Sequence, residues 1–276
     1  MLNIYYYCFK SSIFIKRLKF IPMKKSWLLL LLICSMFSAV TNAQTETRFG
    51  IQLAPTFSWL TTDYGDIGSN GSNLGFAMAI KADMFFAEKA AFSFGLGLGL
   101  NQGGRLLHNN PGDYFFNSEL SDNILHALPE LSDIRYKVNY IQVPLSLKIL
   151  TDEILQLRDM RFSVDAPIFT LGLRNKAFAD ITGLSGVQGF EDNFYKEIVS
   201  KDINPLDLSW GFGIGMEYNL SGTSRDGTSL LVGLTYAQSI FDITKNDGSR
   251  IVDGLIEEEN SSTTRHNINI VVGMAF

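Results

Sequence analysis

The chain has 276 residues, and six of its 23 basic residues but none of its 28 acidic ones lie before Gln44. The remainder therefore carries 17 basic against 28 acidic residues, a net charge of −11 that disfavours nucleic-acid binding. Both cysteines, Cys8 and Cys34, fall in the first 43 residues, which excludes disulfides and cysteine-based metal sites from 44–276.

Taken in chain order, residues 1–22 hold four basic residues and no acid, and read as a mis-assigned extension ahead of the true start at Met23. Residues 23–43 follow with two lysines, an apolar run from Trp27 to Val40 and small residues up to Ala43, the layout of a secretory signal peptide cut before Gln44. A membrane anchor is the alternative for the apolar run, but it falls short of the ~20 residues that span a bilayer. Ile33 sits where a lipoprotein signal needs a small residue before Cys34, so anchoring is left to the fold of 44–276.

From there the chain alternates with a period of two. Phe49, Ile51, Leu53, Phe57 and Trp59 share one face of a first strand, and Leu74, Phe76, Met78, Ile80, Met84 and Phe86 one face of a second. In the third, A-F-S-F-G-L-G-L-G-L, Phe92, Phe94, Leu96, Leu98 and Leu100 oppose Ala91, Ser93, Gly95, Gly97 and Gly99. That glycine period of two differs from G-x-G-x-x-G, so no nucleotide or other cofactor is expected. Residues 136–150, 160–180 and 228–243 alternate less regularly, and Pro144 and Pro167 each remove a ladder donor, which predicts bulges or an irregular rim. Leu208, Trp210, Phe212, Ile214, Met216 and Tyr218 form the next clear face, and Ile268, Ile270, Val272, Met274 and Phe276 the last.

Eight strands result, bulky and apolar on one face, small or polar on the other. Backbone groups in a bilayer need partners that only helices or a closed barrel supply, so the pattern predicts an all-β fold, an eight-stranded antiparallel up-and-down transmembrane β-barrel. A soluble eight-stranded barrel would point its bulky side chains inward instead. The predicted connectors, 61–73, 87–90, 108–135, 151–159, 181–207, 221–227 and 244–264, alternate long and short, as outer loops and periplasmic turns do in bacterial outer-membrane barrels. The long ones hold 17 acidic residues.

Parity and strand direction place Arg48, Lys81, Asp83, Lys148, Arg161, Asp165 and Glu217 inside, toward the periplasmic half. Stranding an ionised group there costs several kcal/mol, so these charges are expected to pair into a plug, with a gated ion path or proton relay as the alternatives. Tyr114, Phe115 and Phe116 stand together in an acidic loop, and are either self-packed or a candidate contact for an envelope protein partner. Glu257, Glu258 and Glu259 lack the ligand order of a calcium loop and read as a solvated tip beside lipopolysaccharide. Hydrolysis would have to use His108, His126 or His266, and no G-x-S-x-G elbow accompanies them, so no catalytic residue is assigned.

The run N-Y-I-Q-V-P-L-S-L-K-I (139–149), then G-F-G-I-G-M-E-Y (211–218) and Y-A-Q-S-I-F-D-I (236–243), resembles the PorT-like outer-membrane β-barrel domain of Bacteroidetes. Tyr140, Pro144, Leu145 and Lys148 carry most of that resemblance, which extends from about Arg48 to Phe276. It implies an eight-stranded barrel in the outer membrane of a Gram-negative cell and no particular activity. The last strand, with Ile270, Val272, Met274 and terminal Phe276 facing out, resembles the targeting strand read by the barrel-assembly machinery during biogenesis. The expectation is an exported, monomeric outer-membrane barrel in contact with lipid and lipopolysaccharide, structural or surface-binding in role, with a small-solute channel and a hydrolase as alternatives.

Overall fold

Alternating apolar and small residues make long strands here because each backbone finds a ladder partner on both sides. The computed structural model describes residues 46–152, 159–184, 190, 194–220 and 227–276, so the signal-peptide and extension assignments lie outside the described residues. Its strands are β1 (Thr47–Thr62), β2 (Ile67–Ala87), β3 (Ala90–His108), β4 (Gly112–Asp113), β5 (Ser132–Leu150), β6 (Met160–Thr182), β7 (Phe194–Ile198), β8 (Leu206–Asn219), β9 (Ser229–Ser239), β10 (Ser249–Val252), β11 (Leu255–Glu258) and β12 (Thr263–Ala275).

Eight of them, β1, β2, β3, β5, β6, β8, β9 and β12, pair antiparallel in sequence order, and β12 returns to β1. The ring is the expected up-and-down barrel. Its seam is stitched by the chain end: Phe276 N–H donates to the Phe49 carbonyl at 2.7 Å, and Phe49 N–H to the Phe276 carbonyl at 3.0 Å. β7 adds to the upper part of β6, while β4, β10 and β11 form a separate three-stranded sheet.

The predicted outward faces are the exposed ones. Phe49, Ile51, Leu53, Phe57, Leu74 and Ile80 stand open on the outer wall, as do, at every second position, Phe92 to Leu100, Trp210 to Tyr218 and Ile268 to Phe276. Inside, glycine serves close approach: a Cβ on Gly95 would lie 2.7 Å from the Ile80 carbonyl oxygen.

The first long connector is corrected. Residues 61–73 are mostly strand, because β1 and β2 continue past the apolar belt and turn only at 63–66. The segment Gly68 to Asn73 is polar on both faces, which hides strand periodicity but suits a ladder standing in water. The same extension lengthens β5 and β6 to 19 and 23 residues, well beyond the ~9–11 that cross a bilayer.

Within β5 the pattern inverts. Below, Ile141, Leu145 and Ile149 face out and Ser146 and Lys148 in; above, Ile134, Tyr136, Val138 and Tyr140 face in, while Asp133, Arg135, Lys137 and Asn139 are only partly covered. The inward apolar residues join Leu60, Leu106, Phe115, Leu125, Leu128, Ile181, Val199, Ile203 and Ile243 in one core. The upper barrel is thus filled by its own outer loops. A short 3-10 helix, Asn123–His126, brings Leu125 into that core, with the Asp122 side chain accepting from Ile124 N–H at its start.

Bulges adjust the ladders. One lies between Asp165 and Ile168, around Pro167; Pro144 itself stays in register opposite Thr170, with shifts on either side of it. Another lies between Gly99 and Gln102 of β3, where Asn101 takes a left-handed φ of 56° and its N–H donates to Asn139 Oδ1 at 2.9 Å.

Candidate functional site

Strands β1, β2, β5, β6 and β8 deliver charge to the lower lumen. Lys148 of β5 reaches two acids, Asp83 of β2 at 2.8 Å and Glu217 of β8, and Glu217 also accepts from Arg48 of β1 at 3.2 Å. All four side chains are buried. Asp165 stands beside Lys148 in the β5–β6 ladder and accepts from Ser146 at 3.4 Å, and Arg161 lies opposite Glu217 in the β6–β8 ladder. Lys81 takes a different position, lining with Asp165 and Lys148 a cavity of about 30 Å³. The structure therefore brings Arg48, Asp83, Lys148 and Glu217 into direct contact and sets Lys81, Arg161 and Asp165 around them. Beneath, Phe85, Ala91 and Leu150 cluster at the periplasmic end.

Above the ion pairs is a larger cavity of about 100 Å³, walled by Gln52, Gln102, Gln142, Asn267, Asn269 and Thr170 among others. Its lining is mixed, with Ala54, Ala77, Ala79, Pro144 and Ile168 beside those amides, which offer the partners a water molecule needs. The cavity shares Gln52, Lys81, Thr235 and Val271 with the smaller one.

A second ionic level caps it. Arg265 of β12 pairs with Asp207 of β8, donates to Gln102 Oε1, and sets its guanidinium 4.9 Å from the Tyr140 ring centre. Arg265 and Tyr140 are among the largest fully buried side chains. Neither Arg265 nor Asp207 is in the predicted lumen set, because Asp207 falls in a predicted connector and the last strand is read on its apolar face. Parity could have found both: Asp207 shares a face with Glu217, and Arg265 with Asn267 and Asn269.

The apolar core lies over this level, and the outer loops complete the cap. Tyr114 and Phe115 are buried in the core, and only Phe116, 66% exposed, faces outward. Two of the three loop aromatics therefore pack on their own barrel. The Tyr114 ring packs on His108 with ring centres 4.1 Å apart, and its hydroxyl donates to the Asn110 carbonyl at 2.7 Å. Burial pushes the His108 imidazole down to about 4, so it is neutral at physiological pH.

The three consecutive glutamates have three different settings. Glu257 accepts from Arg250 at 3.1 Å, Glu258 is exposed, and Glu259 is buried, with both the backbone N–H and the hydroxyl of Ser261 on one oxygen. Burial raises the Glu259 carboxyl above its ordinary range. Arg250 is buried too, lying 3.9 Å from the Tyr64 ring centre and donating to the Tyr64 hydroxyl.

The other two histidines are also held in place. His126 Nδ1 is 3.0 Å from an Asp113 carboxylate oxygen. His266 stacks on Trp59 at 5.3 Å and lies 2.9 Å from each of the Thr61 and Tyr236 hydroxyls, with Phe212 beside Tyr236. Trp59, His266, Tyr236 and Phe212 thus form a row across β1, β12, β9 and β8, a polar-tipped aromatic band of the kind that sits at a membrane interface. Along β12, Ile270, Val272 and Met274 face outward at every second position, and Phe276, just past its end, is exposed.

No curated protein sequence matches this chain. Among solved structures, Neisserial surface protein A is similar at 11% identity and a TM-score of 0.36, covering 82% of this chain and 95% of its own. The attachment invasion locus protein Ail of Yersinia pestis is similar at 10% identity and a TM-score of 0.36, covering 84% and 99%. The outer membrane protease OmpT of Escherichia coli is similar at 8% identity and a TM-score of 0.43, covering 85% and 97%. A family model described as outer membrane protein beta-barrel domain matches residues 42–245, well over half of the chain. With its ring of eight antiparallel strands and its apolar outer wall, the chain belongs to the outer membrane protein beta-barrel domain family.

Proposed function

We propose that this outer-membrane barrel is a closed, monomeric scaffold that presents its acidic outer face to a protein of the cell envelope or surface. The observation that carries the reading is closure at two levels: Arg265, paired with Asp207, reaches across the lumen to Gln102 and Tyr140, and an apolar core seals the barrel above them. Ions would have to cross both, and a packed apolar core offers an ion no replacement for its hydration shell. The lower ion pairs then serve rigidity, since a lumen held by cross-strand charges resists collapse and shear.

The PorT-like resemblance, with an envelope or secretion-associated complex as the setting, belongs to the same reading. So does export by a signal peptide at 23–43. No cofactor is part of this reading, and the histidines act as packed or hydrogen-bonded structural groups.

Planar-bilayer recording of the refolded chain from Gln44 to Phe276 tests the proposal, with circular dichroism verifying the barrel. Absence of stable conductance is expected. Reproducible channels would overturn the scaffold reading in favour of a solute channel. That second reading draws on the two contiguous lumen cavities beside Lys81, and would make Lys81 the first residue to replace.

A further inference from the structure

The sheet of β4, β10 and β11 ends in a strand with one partner. β11 pairs with β10 alone, so among the described residues its far edge carries no ladder. The hairpin turns through Asp253 and Gly254, both with left-handed φ (50° and 78°), and closes on Val252 opposite Leu255. This is the two-residue turn whose closing pair exchanges both backbone hydrogen bonds. Bonding then alternates along β11, so Leu255 and Glu257 turn their N–H and C=O toward β10, while Ile256 and Glu258 turn theirs to the open edge. The hydrogen bond from Glu259 N–H to the Gly248 carbonyl, at 2.9 Å, continues the inward set.

The side chains of this hairpin are as unusual as its backbone. Leu255 and Ile256 are 68% and 78% exposed, and Ile251, opposite Ile256, is 43% exposed. Lipid accounts for exposed apolar residues on the barrel wall, but this hairpin belongs to a separate sheet of the outer loops, off that wall. A short, charged strand is a common way to blunt an edge, yet here two neighbouring exposed positions, Leu255 and Ile256, are apolar. Acidic residues flank them, with Asp253 at the turn and Glu257 and Glu258 along β11. The cation of the hairpin, Arg250, is buried against Tyr64 and Glu257. The edge is thus apolar at its centre and anionic at its rim, which also opposes pairing with a second copy of itself.

We propose that β11 is a docking strand for an extended segment of another protein, with apolar side chains that cover Ile251 and Ile256 on one face and lysines or arginines on the other that meet Glu257 and, at the turn, Asp253. The segment adds as a fourth strand, its backbone satisfied by Ile256 and Glu258. The inference rests on the reading of the outer face as a binding face and names the chemistry of its partner.

The test uses the full chain folded in detergent and a fluorescent decapeptide alternating valine and lysine, with binding followed by anisotropy. Two controls replace lysine with glutamate or valine with serine. Binding of the valine–lysine peptide, about tenfold or more over both controls, is expected. Ile256→Pro removes the outward N–H and leaves the inward bonds of the hairpin, so it should abolish that preference; Glu257→Lys, on the face that meets the lysines, should weaken it. If Ile256→Pro alters the heat-modifiable mobility of the barrel, the double replacement Ile251→Ser, Ile256→Ser takes its place with the same expectation. Equal binding of the serine–lysine peptide would reduce the effect to charge alone and overturn the proposal. So would unchanged binding to the variants, no binding to the parent chain, or a dimer that Ile256→Pro dissolves. A non-conducting barrel that ignores the peptide would sink this inference and leave the scaffold reading standing.

Discussion

The guanidinium of Arg265 meets the carboxylate of Asp207 inside the lumen, two strands away, with their side chains 1% and 2% exposed. Both side chains are buried, so the charge of each is balanced by the other. Replacing one member of such a pair leaves an uncompensated buried charge, which typically costs about 3–5 kcal/mol. Asp207→Asn is therefore expected to lower the unfolding midpoint sharply, by a loss of that order. The double variant Asp207→Asn, Arg265→Gln should regain much of it. Urea unfolding in detergent, followed by the shift between folded and unfolded mobility, reads both; equal losses in the single and double variants would contradict mutual dependence.

Lys148 occupies the hub of the lower network, between Asp83 and Glu217. Lys148→Met removes one cation from two acids, while Arg48 still answers Glu217. Asp83 loses its ion-pair partner. The expected loss is several kcal/mol, with partial rescue by Asp83→Asn in the same chain and little rescue by Arg48→Gln. Chemical denaturation of the three variants beside the parent chain separates these outcomes.

Acid should loosen the outer cap through His108. Its folded value, about 4, lies below the ordinary 6.5, so the unfolded chain takes up a proton first as pH falls. This contribution to stability is fully present above about 6.5 and is lost progressively toward pH 4, to the extent of about 3 kcal/mol. Glu259, in the same loop-lined cavity, works in the opposite sense: its raised carboxyl favours the fold when protonated and opposes it as pH rises. Asp202, Asp247, Lys245, Tyr114 and Tyr136 line the same space. His108→Gln should flatten the loss of stability between pH 6.5 and 4, and an unchanged slope would assign the acid response to other groups.

Phe276 closes the barrel seam with its backbone and presents an exposed ring to the outside. Phe276→Asp keeps the backbone bonds and places a charge on the outer wall. Less heat-modifiable barrel in the outer-membrane fraction is expected, with refolding of the purified chain in detergent affected far less. Equal loss in both settings would point to stability rather than recognition by the assembly machinery.

Much of the barrel is legible in the sequence because lipid demands an outward apolar residue at every second position, and β1, β3, β8 and β12 meet that demand openly. β5 is harder to read because its apolar residues change sides between Tyr140 and Ile141, which a search for one continuous face registers as irregularity. The first hairpin is hidden for a related reason: Gly68 to Asn73 have no apolar face at all, yet pair as strand. Asp207 and Arg265 are within reach of parity but are outweighed, one by the polarity of its neighbours and the other by the apolar face of its own strand. The burial of Tyr114 and Phe115 depends on long-range closure by Val199, Ile203 and Ile243, which no local spacing encodes.

The inversion within β5 draws a waterline across the molecule at Tyr140 and Ile141. Below it the barrel is organised for oil, greasy outside and charged inside; above it the same strands obey the rules of a protein in water. One substitution therefore has two meanings according to height. An aspartate on the lower wall, as in Leu145→Asp, would confront hydrocarbon and hinder insertion, whereas Ile134→Asp would enter the membrane unopposed and fail later, when the cap tries to close around it.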